Sequence, residues 1–173
     1  KQKTAYEIGV RLVGSEMCIR DRTSSSIDIR YMHAALDQAR LAVSFDEVPV
    51  GAVVVHHNEI IGRGYNQPRT LADPTAHAEV VAIRAACLHE NNYRLPGVTV
   101  YVTLEPCLMC IGSLIHARVA RLVYGATEPK TGAVESTCRA LEDFPHNHDI
   151  DVSRGVLEKQ CKCLVQTFFK VRR

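Results

Sequence analysis

"VTVYVTLEPCLMCIGSLIHARVARLVYGA", residues 98–126, decides how this chain folds. It opens as a β-branched apolar run, passes Pro106 into a stretch of helical character, and closes on a second apolar run, "ARLVYGA". Proline suits the first turn of a helix, and short apolar runs flanked by turn residues suit buried strands. Strand, helix, strand is therefore the reading, and strands joined through a helix lie parallel in one sheet. Cys107 and Cys110 stand where the first strand hands over to the helix. Sites in open α/β sheets sit at such junctions.

Working outward, the spacing predicts a helix over 28–45, capped by Ser24, Ser25 or Ser26, with the stripe Tyr31, Ala34, Ala35, Gln38, Leu41 and Ala42 facing inward. "VPVGAVVVH" reads as a buried strand, with His57–Asn58 turning into a second strand, "EIIGRGY". Residues 66–74 read as a loop. "TAHAEVVAIRAACLHE" reads as a helix starting near Asp73 or Thr75. Beyond residue 126 come a long loop, a short strand at 149–152, and a last helix over 156–173 with the stripe Leu157, Cys161, Leu164 and Phe168. Strands alternating with helices imply an α/β layered fold, its sheet mostly parallel after an opening hairpin.

The length of 173 residues and an apolar share of 46% suit one domain with a substantial core. Lys and Arg number 21 against 19 Asp and Glu, so net charge neither demands nor excludes a nucleic-acid partner. No apolar run is long enough to span a membrane. Seven cysteines at irregular spacing fit poorly to a secreted disulfide framework and better to reduced thiols in a cytoplasmic protein. Residues 1–22, "KQKTAYEIGVRLVGSEMCIRDR", begin with Lys, show no clear period and resemble translated adapter sequence. They are expected to be a disordered, non-native leader, with the folded domain at 23–173.

A lone Cys-x-x-Cys leaves a redox dithiol, half a structural zinc clip and a catalytic metal site all open. Cys107 and Cys110, three apart in a first helical turn, share a face and can grip one ion. His77 and Glu79 stand at the start of the preceding helix. One His and two Cys make three zinc ligands, and no other Cys carries zinc-clip spacing: Cys87 falls on a core face, and Cys138, Cys161 and Cys163 are distant. Three protein ligands leave a position for water, which is the catalytic arrangement. Glu79, two residues from His77, lies on another side of the helix and suits proton transfer better than ligation. An isolated H-x-E is usually no more than a carboxylate favoured by the helix dipole. Joined to P-C-x-x-C, it is the pattern of zinc-dependent nucleobase deaminases.

"EVPVGAVVV", "DPTAHAEVVAIRAA", "NYRLPGVTVYVTLEPCLMCIGSLIHARVARLVYGA", "KTGAVES" and "FFKVRR" together resemble the bacterial tRNA-specific adenosine deaminases, within the zinc-dependent cytidine and deoxycytidylate deaminase superfamily. The likeness runs over residues 27–173. It implies a cytidine-deaminase-like three-layer α/β/α sandwich around a mixed five-stranded sheet. It also implies conversion of adenosine to inosine at the wobble position of a tRNA anticodon, by a cytoplasmic homodimer with one Zn²⁺ per subunit. Carried across, His77, Cys107 and Cys110 bind zinc and Glu79 is the proton shuttle. Asn66 resembles the base-contacting asparagine, with Pro49, Val50 and Ala78 in the base pocket. A side-chain amide there can read a purine edge with both its donor and its acceptor, whereas an isolated Asn before "QPR" is usually a turn residue.

The loop "GATEPKTG" departs from the family in Glu128–Pro129, and Glu128 and Lys130 are candidate RNA contacts. Phe168, Phe169, Lys170, Arg172 and Arg173 are further candidates, able to offer rings and charge to a splayed loop. The competing reading puts Phe168 in the core and the basic residues at a helix C-terminus, where the dipole favours them. His116 reads as structural. Rival functions are a free nucleobase or nucleoside deaminase with the same chemistry, a non-catalytic scaffold, which would lack Glu79, and a structural zinc module, which would need a fourth ligand.

Overall fold

The computed structural model describes residues 25–172. The leader at 1–22, the alternative cap Ser24 and the candidate RNA contact Arg173 lie outside the described residues. Helix α1, Ser26–Ser44, is capped by Ser25, whose side chain accepts the Asp28 N–H at 3.1 Å. Its buried face is Tyr31, Met32, Ala35, Leu36, Ala39 and Ala42. The expected stripe was thus partly out of phase: Leu41 is 41% exposed, while Met32 and Leu36 are fully inside. A sheet beneath the whole helix selects the face with the larger contiguous apolar area, and Met32 and Leu36 supply more of it than Gln38 and Leu41.

Strands β1 (Gly51–His56) and β2 (Glu59–Tyr65) form the expected hairpin. Its turn residues His57 and Asn58 both have positive φ, 47° and 66°, which matches the right-handed twist of the flanking strands. Residues 66–74, expected as a loop, contain a one-turn helix α2, Pro68–Leu71, opened by its proline and stopped by Ala72 in the left-handed region. Helix α3, Ala78–Glu90, starts later than the pattern suggested. The Asp73 carboxylate instead takes the Thr75 N–H at 2.8 Å and the Thr75 hydroxyl at 2.7 Å, holding 73–75 as a turn.

Then follow β3 (Thr99–Leu104), α4 (Leu108–His116), β4 (Arg121–Ala126), an unforeseen single turn α5 (Ala140–Asp143), β5 (Asp151–Ser153) and α6 (Glu158–Val171). In the sheet order β2-β1-β3-β4-β5, β1 runs against both neighbours and the other pairings are parallel. Four strands therefore point one way, with β1 inserted between β2 and β3. One face of the sheet packs against α3 and α4 through residues such as Val100, Leu114 and Leu122. The other packs against α1 and α6 through Tyr31, Leu36, Val123 and Cys161. This is the three-layer α/β/α sandwich. Gly64 lets α3 come close: a Cβ there would overlap the Ala78 carbonyl and the Ala82 amide, so the α3 N-terminus rests on β2 backbone to backbone.

Asp28 ties three elements together. It is 4% exposed, receives both Arg121 nitrogens at 2.8 and 3.0 Å, and accepts the Tyr101 hydroxyl at 2.9 Å. Burial by itself would raise this carboxyl, but hydrogen bonds and charge from Arg121, with Tyr101, outweigh it and hold it below its ordinary value. A folded value below the unfolded one means the pair stabilises fully above about pH 4 and loses that contribution as pH falls through the lowered value. Asp28→Asn leaves Arg121 without its countercharge and is expected to cost about 3 kcal/mol at pH 7. In urea unfolding the gap between variant and wild type should close below about pH 4. A gap that stays constant down to acid would exclude the ion pair as its source.

Candidate metal centre

His77 and Cys107 are the N-cap residues of α3 and α4, both in extended backbone conformation, and neither side chain caps its helix. Their carbonyls accept the first helical bonds, from Val81 at 2.9 Å and Ile111 at 3.0 Å. Both side chains are thereby free to point beyond the helix ends. They converge with Cys110, in the first turn of α4: the three atoms His77 Nδ1, Cys107 Sγ and Cys110 Sγ are mutually 3.6 Å apart. Tetrahedral zinc with bonds of roughly 2.0–2.3 Å requires ligand atoms about 3.6–3.8 Å from one another. The donor set and its spacing fit zinc. Among the described residues this is the one His/Cys/Asp/Glu group that converges in this way, and it contains no fourth protein ligand.

The electrostatics are those of a site prepared for a cation. A hydrogen bond from Cys110 and the nearby His77 ring hold the Cys107 thiol down at about 4, against its burial. Cys110, donating to Cys107 and buried, is pushed far up, and His77 is raised by its hydrogen bond to Cys107. The three groups share protons that a divalent ion would displace, making both sulfurs thiolate. Glu79 is 4% exposed in the first turn of α3. Burial raises its carboxyl to about 7, and the carboxyl interacts with Cys107, His77 and Cys110. It stands beside the cluster without belonging to it. The reason differs from the sequence argument: His77 precedes the helix, so helical angles do not separate the two side chains.

The base-pocket candidates gather at the same end of the sheet. Asn66 follows β2, its N–H donates to the Val50 carbonyl at 3.1 Å, and its Oδ1 accepts the Ala78 N–H at 2.9 Å. Its two partners Val50 and Ala78 are buried, as is Pro49. The Asn66 oxygen takes the N–H of the residue between His77 and Glu79, which fixes the orientation of the amide, while the second lone pair of that oxygen and the amide nitrogen remain for a ligand.

The proposed RNA contacts divide. Lys130, Phe169 and Lys170 are exposed, Phe169 to 47%. Glu128 is half-buried and accepts the Lys130 N–H at 3.0 Å. Phe168 is 7% exposed, with the Arg172 guanidinium 3.6 Å above its ring, and Arg172 also pairs with Asp46. His116 is exposed at the end of α4. Two buried carboxylates had escaped notice. Glu47, 2% exposed, accepts the Thr70 N–H and hydroxyl at 2.7 and 2.9 Å. Glu105, 3% exposed, precedes Pro106. A single charge closing the apolar run "VTVYVTLE" was the available signal for the second.

Residues 25–126 match the family described as the cytidine and deoxycytidylate deaminase zinc-binding region. The tRNA-specific adenosine deaminase of Haemophilus influenzae is 44% identical over 153 residues, 88% of each chain. That of Agrobacterium fabrum is 46% identical over 143 residues, 83% of this chain and 94% of the relative. Among solved structures, one from work on A-to-I editing by tRNA:A34 deaminases at the wobble position superposes with a TM-score of 0.76 at 46% identity, covering 78% of this chain and 98% of the other. A guanine deaminase from Nitrosomonas europaea shares the fold, with a TM-score of 0.68 at 24% identity over 81% and 83% of the two chains. The chain belongs to the zinc-dependent cytidine and deoxycytidylate deaminase family and, within it, to the tRNA-specific adenosine deaminases.

Proposed function

We propose that this chain hydrolyses adenosine to inosine at the wobble position of a tRNA anticodon, releasing ammonia. The observation that carries the reading is the convergence of His77, Cys107 and Cys110 at zinc-ligand spacing beside the buried Glu79, in a chain whose relatives are tRNA-specific adenosine deaminases. His77, Cys107 and Cys110 would hold the zinc, which would supply Lewis-acid activation of water. Glu79, poised near neutrality by burial, takes one proton from the water and delivers it to the purine ring nitrogen. It then takes the proton of the hydroxyl now on the ring carbon and passes it to the amine, which leaves as ammonia as the carbonyl forms. Asn66 turns its amide N–H groups to an acceptor on the base, while Pro49, Val50 and Ala78 wall the pocket.

The deaminase domain spans residues 23–173. Its partner is a tRNA anticodon loop, whose target base is presented unstacked. Lys130, Phe169 and Lys170 supply charge and a ring at the surface, and Glu128 shapes the loop that carries Lys130. Arg172 acts through Asp46, which also pairs with Arg69, and this links the end of α6 to the segment that leads into Pro49–Val50. Arg173 extends the basic run. The enzyme works as a homodimer, a reading supported by exposed Leu108 and Met109 on the metal-bearing helix. Free thiols at all six described cysteines support a cytoplasmic location, and no helix among the described residues is long and apolar enough to cross a membrane.

The test offers the protein an anticodon stem-loop with wobble adenosine, the same loop with cytidine, and free adenine, guanine and cytosine. Inosine is expected in the adenosine stem-loop alone. Turnover of a free base with an inert stem-loop would retain the zinc chemistry and overturn the substrate.

A further inference from the structure

Glu105 is a buried charge that the proposed chemistry does not use. Its Oε1 accepts the N–H groups of Val134 at 3.1 Å, Glu135 at 2.8 Å and Ser136 at 3.0 Å. Its Oε2 accepts the Glu128 N–H at 2.9 Å and the Ser136 hydroxyl. Among the described residues it pairs with no Lys, Arg or His within ion-pair distance. A carboxylate buried without a countercharge must be compensated by hydrogen bonds, and here peptide dipoles from one loop supply nearly all of them. Three successive N–H groups around one oxygen form a nest of the kind that binds anions. In this loop the anion is the chain's own side chain.

The loop fits that anion closely. A Cβ on Gly132 would overlap the Glu105 carboxylate, so only glycine lets the loop close over it. The same loop is stitched to the metal-bearing segment. Ala133 N–H donates to the Pro106 carbonyl at 2.8 Å, and Gly132 pairs with Cys107 in an isolated antiparallel bridge. Glu105 thus clamps residues 127–138 from one side while Pro106 and Cys107 hold them from the other. At the outer edge of the loop lie Glu128, whose N–H is one of the clamped donors, and Lys130.

We propose that Glu105 is a positioning residue: its carboxylate, seated in a backbone nest, fixes the 127–138 loop against Pro106–Cys107 and thereby sets the rim that meets RNA relative to the metal centre. The clause about RNA rests on the tRNA reading above; the clamp itself does not. Without the carboxylate, four backbone donors lose their acceptor and the loop turns outward to water. His77 and Cys107 stay at their helix caps and Cys110 in the first turn of α4, so the damage falls on substrate placement. Glu105 has no role as a proton carrier, because all five of its donors come from the loop and none from the metal cluster.

The experiment uses the full chain with zinc and compares wild type with Glu105→Ala, with and without sodium formate, using sodium chloride at equal ionic strength as control. Three quantities are read: zinc content, hydrogen exchange of amides 127–138, and stem-loop KM and kcat, with the stem-loop Kd measured in a Glu79→Gln background. Zinc should remain at the wild-type level, KM and Kd should rise about tenfold to a hundredfold, and kcat should change less. Exchange of the 127–138 amides should accelerate. Formate should refill the nest, restoring slow exchange and lowering KM, where chloride does not. Glu105→Gln, which fills the space and turns an NH₂ towards N–H donors, should show the same defect without rescue.

Unchanged loop exchange, or loss of zinc and kcat together without formate rescue, would overturn the proposal. If Glu105→Ala does not fold, Ser136→Ala and Gly132→Ala perturb the same contact from the loop side, and wild-type exchange and KM in both would overturn it equally. An inert stem-loop with wild-type enzyme would refute the tRNA reading, while formate-dependent loop exchange would still decide the clamp.

Discussion

Glu79→Gln is expected to keep its full zinc complement and lose turnover of the wobble-adenosine stem-loop by about a thousandfold, within the range that positioned acid–base groups contribute. Glutamine has the shape of glutamate and holds hydrogen bonds, yet it cannot accept and return a proton. The site makes that difference decisive. Glu79 is 4% exposed in the first turn of α3, and burial lifts its carboxyl to about 7, so both protonation states are accessible near neutral pH. It lies beside the three convergent donor atoms without being one of them, so its replacement leaves the ligand set whole. Metal analysis and single-turnover assays on the same preparation check the result. Zinc lost along with activity would make Glu79 a support of the metal; activity retained would remove it from the chemistry.

Cys110→Ser should abolish activity by a different route. The cysteine is fully buried, 3.6 Å from both partners, and serine offers zinc a poorer, shorter donor that the surrounding packing holds back from the ion. Zinc affinity is expected to fall by at least about a hundredfold, since outer-shell changes alone reach that size. Ion that binds only the folded state stabilises it, so at zinc concentrations near a hundred times the wild-type Kd the variant forfeits about 2.3 kcal/mol in urea unfolding, rising to about 2.7 if binding is abolished. Chelator treatment of wild type should give the full loss of about 2.7 kcal/mol, while Cys163→Ser, at an exposed position on α6, should show neither effect. A Cys110→Ser protein that retains stoichiometric zinc would refute the ligand assignment.

Much of this was legible in residue order. The βαβ unit at 98–126 announced itself because a buried parallel strand is a continuous apolar run, and because Pro106 ends that strand just before the N-cap of α4. The hairpin at His57–Asn58 and the metal donor types were equally local signals. The phase of α1 was less accessible: Tyr31, Ala35 and Ala42 were foreseen, but a choice between Met32–Leu36 and Gln38–Leu41 depends on which face the sheet covers. The start of α3 was misplaced because Asp73 bonded to Thr75 within a turn, an alternative that a helix-start pattern does not distinguish from a cap.

By itself the sequence determined the order of the strands and the four longer helices, the layered class and the chemical nature of the site, since these follow from hydrophobic period, proline placement and the coordination chemistry of His and Cys. The tertiary structure decided the rest. It set His77 and Cys107 at helix caps thirty residues apart with their side chains free to converge, and it fixed the orientation of the Asn66 amide on Ala78. It also seated Glu105 in amides that follow it by 23 to 31 residues. Each of these contacts is made with a backbone N–H or with a donor from a distant segment. Every residue except proline carries the same backbone N–H, so no residue pattern marks the one that a fold will bring to a given carboxylate or amide.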